Sequence, residues 1–359
     1  MDSISQIVLG GAVAAVAVPP GHRRAALLAG AALGTLPDLD SLPIALFTDD
    51  PVALMTWHRS LTHSALVLPF VAWAIWAFFR RRGGRVAEAP RAWFWAILLA
   101  LVTHPLLDGF TVYGTQLWWP LPLQPTMWSS VFIIDPLYTV WLLAACVVAW
   151  AVPRRPLAQG ALVAGLMLST AYLGWSVLAK SMVERAAEAA LAQLGLADVP
   201  RFSVPMPFNT LLWRVVAMTP EGYVVGDRSL VADRGPMRFE AHTSDRAALQ
   251  AVATLPAVQR LTWFNHRFMR AEARPEAPAV GTSQVSPGTE LLVLSDLRMG
   301  LEPAYTFNFG VARRAAGGPW EEVAPPLRAP ADAGAALSRE GIGPAWRAVW
   351  QRIWHEPSP

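Results

Sequence analysis

Residues 157–195 read LAQGALVAGLMLSTAYLGWSVL and then AKSMVERAAEAALAQLG. The first 22 carry no charge; the next 17 carry Lys180, Glu184, Arg185 and Glu188. The first run is long enough for a helix to cross a hydrocarbon core, which takes roughly 20 apolar residues. The second has the mixed face of a helix at a polar surface. The chain changes character here. Of its 55 charged side chains, 18 lie in residues 1–178 and 37 in residues 179–359. The whole-chain figures, 54% hydrophobic and 15% charged over 359 residues, average two unlike halves. That split excludes intrinsic disorder, a coiled coil and a single soluble domain. A net charge of +3 gives no ground for a nucleic-acid partner, and the single cysteine, Cys146, excludes an intramolecular disulfide.

Upstream of residue 157 lie five more apolar stretches, about 4–18, 25–36, 61–79, 92–107 and 131–152. The fold expected is an α-helical membrane bundle of about six apolar helices, some short, followed by a soluble α+β domain with mainly antiparallel strands. Its expected parts are residues 1–178 in the membrane, 179–199 as amphipathic helix and linker, and 200–359 as the second domain. Gly30 and Gly34 form a small-xxx-small step that suits close helix approach. The opening MDSISQ lacks a basic n-region, against a cleaved signal peptide. Arginines follow the first, third and fifth stretches, at 23–24, 80–91 and 154–155, so the positive-inside rule places these connections in the cytoplasm. The expected location is a bacterial inner membrane, multi-pass, with loops 37–60 and 108–130 and everything after residue 178 periplasmic. The second domain is expected to cover the outer face without supplying metal ligands. Strands are expected at Leu211–Met218, Tyr223–Leu230, Met237–His242, Glu290–Leu297 and Tyr305–Arg313, and helices at Pro256–Ala273 and Trp346–Trp354.

Three polar motifs interrupt the apolar pattern: Leu36-Pro37-Asp38-Leu39-Asp40, His58-Arg59-Ser60-Leu61-Thr62-His63-Ser64, and His104-Pro105-Leu106-Leu107-Asp108. Each lies at the end of an apolar stretch, and the topology brings all three to one membrane face. Ionisable groups there are costly and usually functional. A carboxylate at a helix C-terminus opposes the helix dipole, so Asp38 and Asp40 are poor caps. His104 and Asp108, four apart, share a helix face. Asp38, Asp40, His58, His63, His104 and Asp108 form the candidate ligand set for one or two divalent ions, zinc or manganese first. Such ions activate water toward ester bonds. Arg59, between the histidines, either clamps a phosphate or anchors a headgroup. Asp135 is a candidate base or support for a ligand. Thr62 and Ser64 read as helix caps, and Trp118, Trp119 and Trp128 as an interfacial belt. An intramembrane zinc protease is disfavoured, because His-Glu-x-x-His is absent.

On these motifs, with Tyr113-Gly114-Thr115-Gln116, the sequence resembles the bacterial inner-membrane metal-dependent hydrolase family (YdjM/YbcI-like). The opening residues to Gln6, Ile134–Tyr138 and Asn209–Arg214 add to the likeness. Some of that family carry a histidine where this chain has Gln6. The resemblance implies a membrane-bound metal-dependent hydrolase. The substrate expected is a phosphate or other ester, a membrane lipid among the candidates. The alternative is a non-enzymatic metal-binding membrane protein: a sensor, transporter or assembly factor.

Overall fold

The computed structural model describes residues 1–276, 288–315, 317–330 and 339–356. Nine helices precede the first strand: α1 (Ser3–Ala17), α2 (Arg23–Thr35), α3 (Ser41–Phe47), α4 (Pro51–Trp57), α5 (Leu68–Arg82), α6 (Gly84–Glu88), α7 (Pro90–Gly109), α8 (Pro136–Ala151) and α9 (Pro156–Gln193). Short 3-10 turns at Leu36–Asp40 and Leu61–His63 carry polar motifs. The chain divides into two compact units. The first holds Met1–Ile44, His58–Ser181 and Val204–Thr210; the second holds Ala45–Trp57, Met182–Ser203 and Leu211–Pro359. Residues 45–57, expected within the membrane half, therefore cluster with the second unit. Within it, Arg260 donates to the Thr56 hydroxyl at 3.0 Å and carbonyl at 3.1 Å.

Local chemistry sets the helix boundaries. The Asp2 carboxylate caps α1 by accepting from Ile4 and Ser5 N–H, and Asp135 caps α8 through Leu137 and Tyr138. Proline stands at the start of α7 and α8, where its missing N–H costs nothing. Glycine sets the spacing of α1 and α2. A Cβ on Gly10 would lie 2.2 Å from the Gly30 carbonyl oxygen, and one on Gly34 would lie 2.5 Å from that of Gln6. The small-xxx-small step is thus a seam against α1. Val8, Ala12, Ala26, Ala100, Leu142 and Leu162 belong to the buried core that joins α1, α2, α7, α8 and α9.

The membrane bundle expected from the sequence is corrected in number. Among the described residues only α7 and α9 are long and apolar enough to cross a membrane, with a third span if the bent pair Pro51–His63 and Leu68–Arg82 counts as one. The helices α1 and α8 have 15 and 16 residues, or about 22–24 Å at 1.5 Å per residue, short of a core about 30 Å thick. The third stretch is not helical from residue 61. Ser64 is extended and its hydroxyl accepts from Leu66 and Val67 N–H, which delays α5 to Leu68.

The second unit contains two four-stranded sheets. One has the order β1-β2-β3-β4: β1 (Arg201–Pro205), β2 (Leu212–Met218), β3 (Gly222–Ser229) and β4 (Glu240–Thr243). The helices α10 (Arg246–Ala251) and α11 (Pro256–Phe264) follow. The second sheet is built from β5 (Met269–Pro275), β6 (Glu290–Asp296), β9 (Asn308–Arg314) and β10 (Glu321–Arg328), in the order β10-β9-β6-β5. A small hairpin, β7 (Gly300–Leu301) and β8 (Ala304–Tyr305), lies between β6 and β9 in sequence, and α12 (Arg339–Trp354) closes the described chain. The register from Leu212↔Ser229 to Met218↔Tyr223 is antiparallel, as are the β5–β6, β6–β9 and β9–β10 pairs. Trp213, Tyr223 and Phe264 are fully buried. The expected helix Pro256–Ala273 stops at Phe264. His266 and Arg267 adopt positive φ, and the chain then pairs as β5 with β6. β1 (Arg201–Pro205) precedes the first strand expected from the sequence.

Candidate metal centre

Three separate segments of the first unit converge. The turn Leu36–Asp40 supplies Asp38, the turn Leu61–His63 supplies His63, and one face of α7 supplies His104 and Asp108. One ligand atom from each of the four lies within 4.8 Å of every other. The His63 and His104 Nε2 atoms are 3.1 Å apart. Asp38 Oδ1 lies 3.3 Å from the first and 3.5 Å from the second. Asp108 Oδ2 lies 3.3 Å and 3.4 Å from the same two nitrogens. His63, His104 and Asp108 are buried, and Asp38 is partly exposed.

The outer hydrogen bonds define what these atoms offer. His104 Nδ1 lies 2.6 Å from the Gly34 carbonyl oxygen, which can only accept. A proton is therefore on Nδ1, and in the neutral ring Nε2 presents a lone pair. Thr62 donates its hydroxyl proton to Asp40 Oδ2 at 2.7 Å, leaving its oxygen to accept from His63 Nδ1 at 3.0 Å. His63 Nε2 is then a lone pair as well. Asp108 Oδ1 accepts from Gln6 Nε2 at 3.0 Å and from the Met1 α-amine, while Oδ2 faces the cluster. Both Asp38 Oδ1 and Asp108 Oδ2 are buried oxygens with no hydrogen-bond donor. With both rings neutral, four acceptors face one another, an arrangement that a cation relieves.

The other expected ligands stand apart from these four. Asp40 is largely buried and fully engaged: it accepts from His58 Nδ1 at 2.6 Å, from Arg59 N–H at 3.2 Å and from Thr62. Burial pushes its carboxyl upward, but the bonds from His58 and Thr62 outweigh it and hold the group below its ordinary range. Asp40 thereby positions the motif. His58 directs Nε2 toward Asp38 Oδ1 at 3.9 Å and stands edge-on to Tyr113. Arg59 reaches the cluster, with Nε 3.3 Å from Asp108 Oδ2. Asp135, expected as base or ligand support, is spent elsewhere. One oxygen caps α8 and the other accepts from the Tyr172 hydroxyl at 2.9 Å.

Sequence reading treated Thr62 as a cap and gave the Gly34 carbonyl no role. For Thr62 the available signal was its place directly before a candidate ligand. No side-chain signal marks a backbone carbonyl. Gln6, noted only as a departure from a histidine, holds Asp108.

No curated protein and no solved structure matches the chain. A family model, YdjM inner membrane protein, matches residues 1–183, which include all three motifs and stop short of Asn209–Arg214. Half the chain and the whole of the cluster thus lie within the match: the protein belongs to the YdjM inner membrane protein family.

Proposed function

We propose that this protein is a membrane-bound, metal-dependent hydrolase of ester bonds. The observation that supports the reading is the convergence of four lone-pair atoms with both imidazole tautomers fixed outward. Two imidazoles and two carboxylates suit zinc or manganese. A bound divalent ion would supply acidity, lowering the pKa of water toward neutrality and polarising the ester oxygen. Asp38, His63, His104 and Asp108 would hold it. Asp40, Thr62, Gln6 and the Gly34 carbonyl would orient those four. A single ion fits better than two, because the atoms by which His58 and Asp40 face each other are taken up in their own 2.6 Å bond. Partial exposure of Asp38 gives substrate an approach on that side of the otherwise buried cluster.

The arginine distribution supports a periplasmic placement of this site and of the second unit. Labelling a Glu221→Cys variant in a Cys146→Ala background from the outer face checks it, and labelling only from the cytoplasm reverses it.

Metal analysis of the purified full chain tests the function. The wild type should hold about one zinc or manganese ion per chain by the ligand count, and His104→Ala should lose it. Turnover of an ester panel should be abolished by chelator and restored by metal. Metal without turnover on any ester would move the assignment to a non-enzymatic metal-binding protein.

A further inference from the structure

Arg59 is held in an unusual way for a surface anchor. Its residue is 7% exposed, and its Nε and Nη1 are buried without a hydrogen-bond acceptor. Its backbone is left-handed, with φ of 61°, a conformation disfavoured for a residue with a Cβ. Two bonds fix it there: Arg59 N–H donates to Asp40 Oδ2, and its carbonyl accepts from Gln116 N–H at 3.0 Å. The guanidinium lies over the Tyr113 ring, 4.9 Å from its centroid. Asp108 Oδ1 is served by Gln6 and the Met1 α-amine, and Arg59 faces the other oxygen, Oδ2, as a charge partner. The long 3.3 Å approach to Oδ2 leaves the Nε proton without a proper acceptor. Unused donors on a buried cation are costly, and guanidinium N–H groups are strong donors to oxyanions.

The charges agree. Two carboxylates in the cluster would balance one divalent ion. Arg59 would then add a positive charge beside the ion, 3.3 Å from Asp108 Oδ2. A neutral carboxylic ester has no use for that surplus, whereas a phosphoester carries the complementary charge.

We propose that the ester recognised at this site is a phosphoester, and that Arg59 is its specificity residue, binding phosphoryl oxygens beside the metal. The inference rests on the metal-dependent reading above. Hydrolysis would add water across the P–O bond: the hydroxyl goes to phosphorus, the proton to the departing alkoxide, and no redox partner is needed. The phosphoryl group belongs either to a lipid headgroup or to a soluble phosphomonoester.

The test uses the full chain in detergent, loaded with manganese, with inorganic phosphate as probe and phosphorus NMR relaxation as readout. Wild type should broaden the phosphate signal saturably. Arg59→Asn, which tolerates the left-handed backbone, should weaken phosphate binding tenfold or more while retaining manganese. Arg59→Lys should recover part of the loss, since it restores the charge but not the fork. Displacement of phosphate by phosphatidic acid in nanodiscs but not by glycerol phosphate assigns a lipid. The opposite order assigns a soluble ester. Equal phosphate binding in Arg59→Asn at full manganese content overturns this inference and leaves the metal reading standing. A wild type that takes up no manganese or zinc overturns both.

Discussion

Replacing Thr62 by valine keeps the shape of the side chain and deletes one oxygen. That oxygen donates to Asp40 at 2.7 Å and accepts from His63 Nδ1 at 3.0 Å. The variant leaves Asp40 with His58 and the Arg59 N–H, so the turn should persist. The imidazole of His63, however, loses the acceptor that keeps its proton on Nδ1. The tautomer with a proton on Nε2 becomes competitive, and its N–H points at the other three ligand atoms. Partners that orient a metal-binding histidine are typically worth 10–100-fold in metal affinity, or about 1.4–2.7 kcal/mol. The lost hydrogen bond to a carboxylate should cost folding about 1.5–3 kcal/mol in addition. The two effects separate experimentally. Affinity is read by competition for zinc or manganese against a chromophoric chelator, and stability by a melt of the metal-free chain. Thr62→Ser should restore most of both. Wild-type affinity in Thr62→Val would refute the claim that the outer hydrogen bonds prepare the cluster.

At the helix seam, Gly30→Ala places a Cβ 2.2 Å from the Gly10 carbonyl oxygen and 2.6 Å from the Ala14 methyl. Overpacking of this kind should lower stability by about 1–3 kcal/mol, read as a depressed melting temperature in detergent, whereas Gly174→Ala, which faces open space, should leave the melt unchanged or slightly raised. Asp135→Ala should cost about 1–2 kcal/mol as a lost helix cap, with metal content equal to wild type. Loss of metal in the gentler Asp135→Asn variant would return this residue to the site.

The polar motifs were legible because ionisable side chains at the edge of apolar stretches have few inexpensive explanations. The pairing of His104 with Asp108 follows from helical spacing alone. Asp40 and His58 could not be separated from the ligands proper by spacing, since all six groups have suitable chemistry. Only the direction of each donor and acceptor distinguishes a ligand from the group that holds it. The capping role of Asp135 was signalled by its own neighbours: an aspartate followed by proline at the start of an apolar run is a helix opening. In the second unit the strands Leu212–Met218 and Glu290–Asp296 were visible as dense apolar runs. The error at residues 265–273 came from helical spacing of Leu261, Phe264 and Phe268 that continued past the helix end, where strand pairing prevailed.

The cluster draws its members from places far apart in sequence, and this gives a bound ion a second consequence. A chain with one cysteine has no covalent cross-link of its own. An ion gripped by Asp38, His63 and His104 would close loops of about 25 and 41 residues, a range in which a disulfide restrains the unfolded chain by about 3–4 kcal/mol. The same ion would then serve as catalyst and clasp. Its removal would not merely silence the site but release the two turns from α7, so that chelation and unfolding would share one transition.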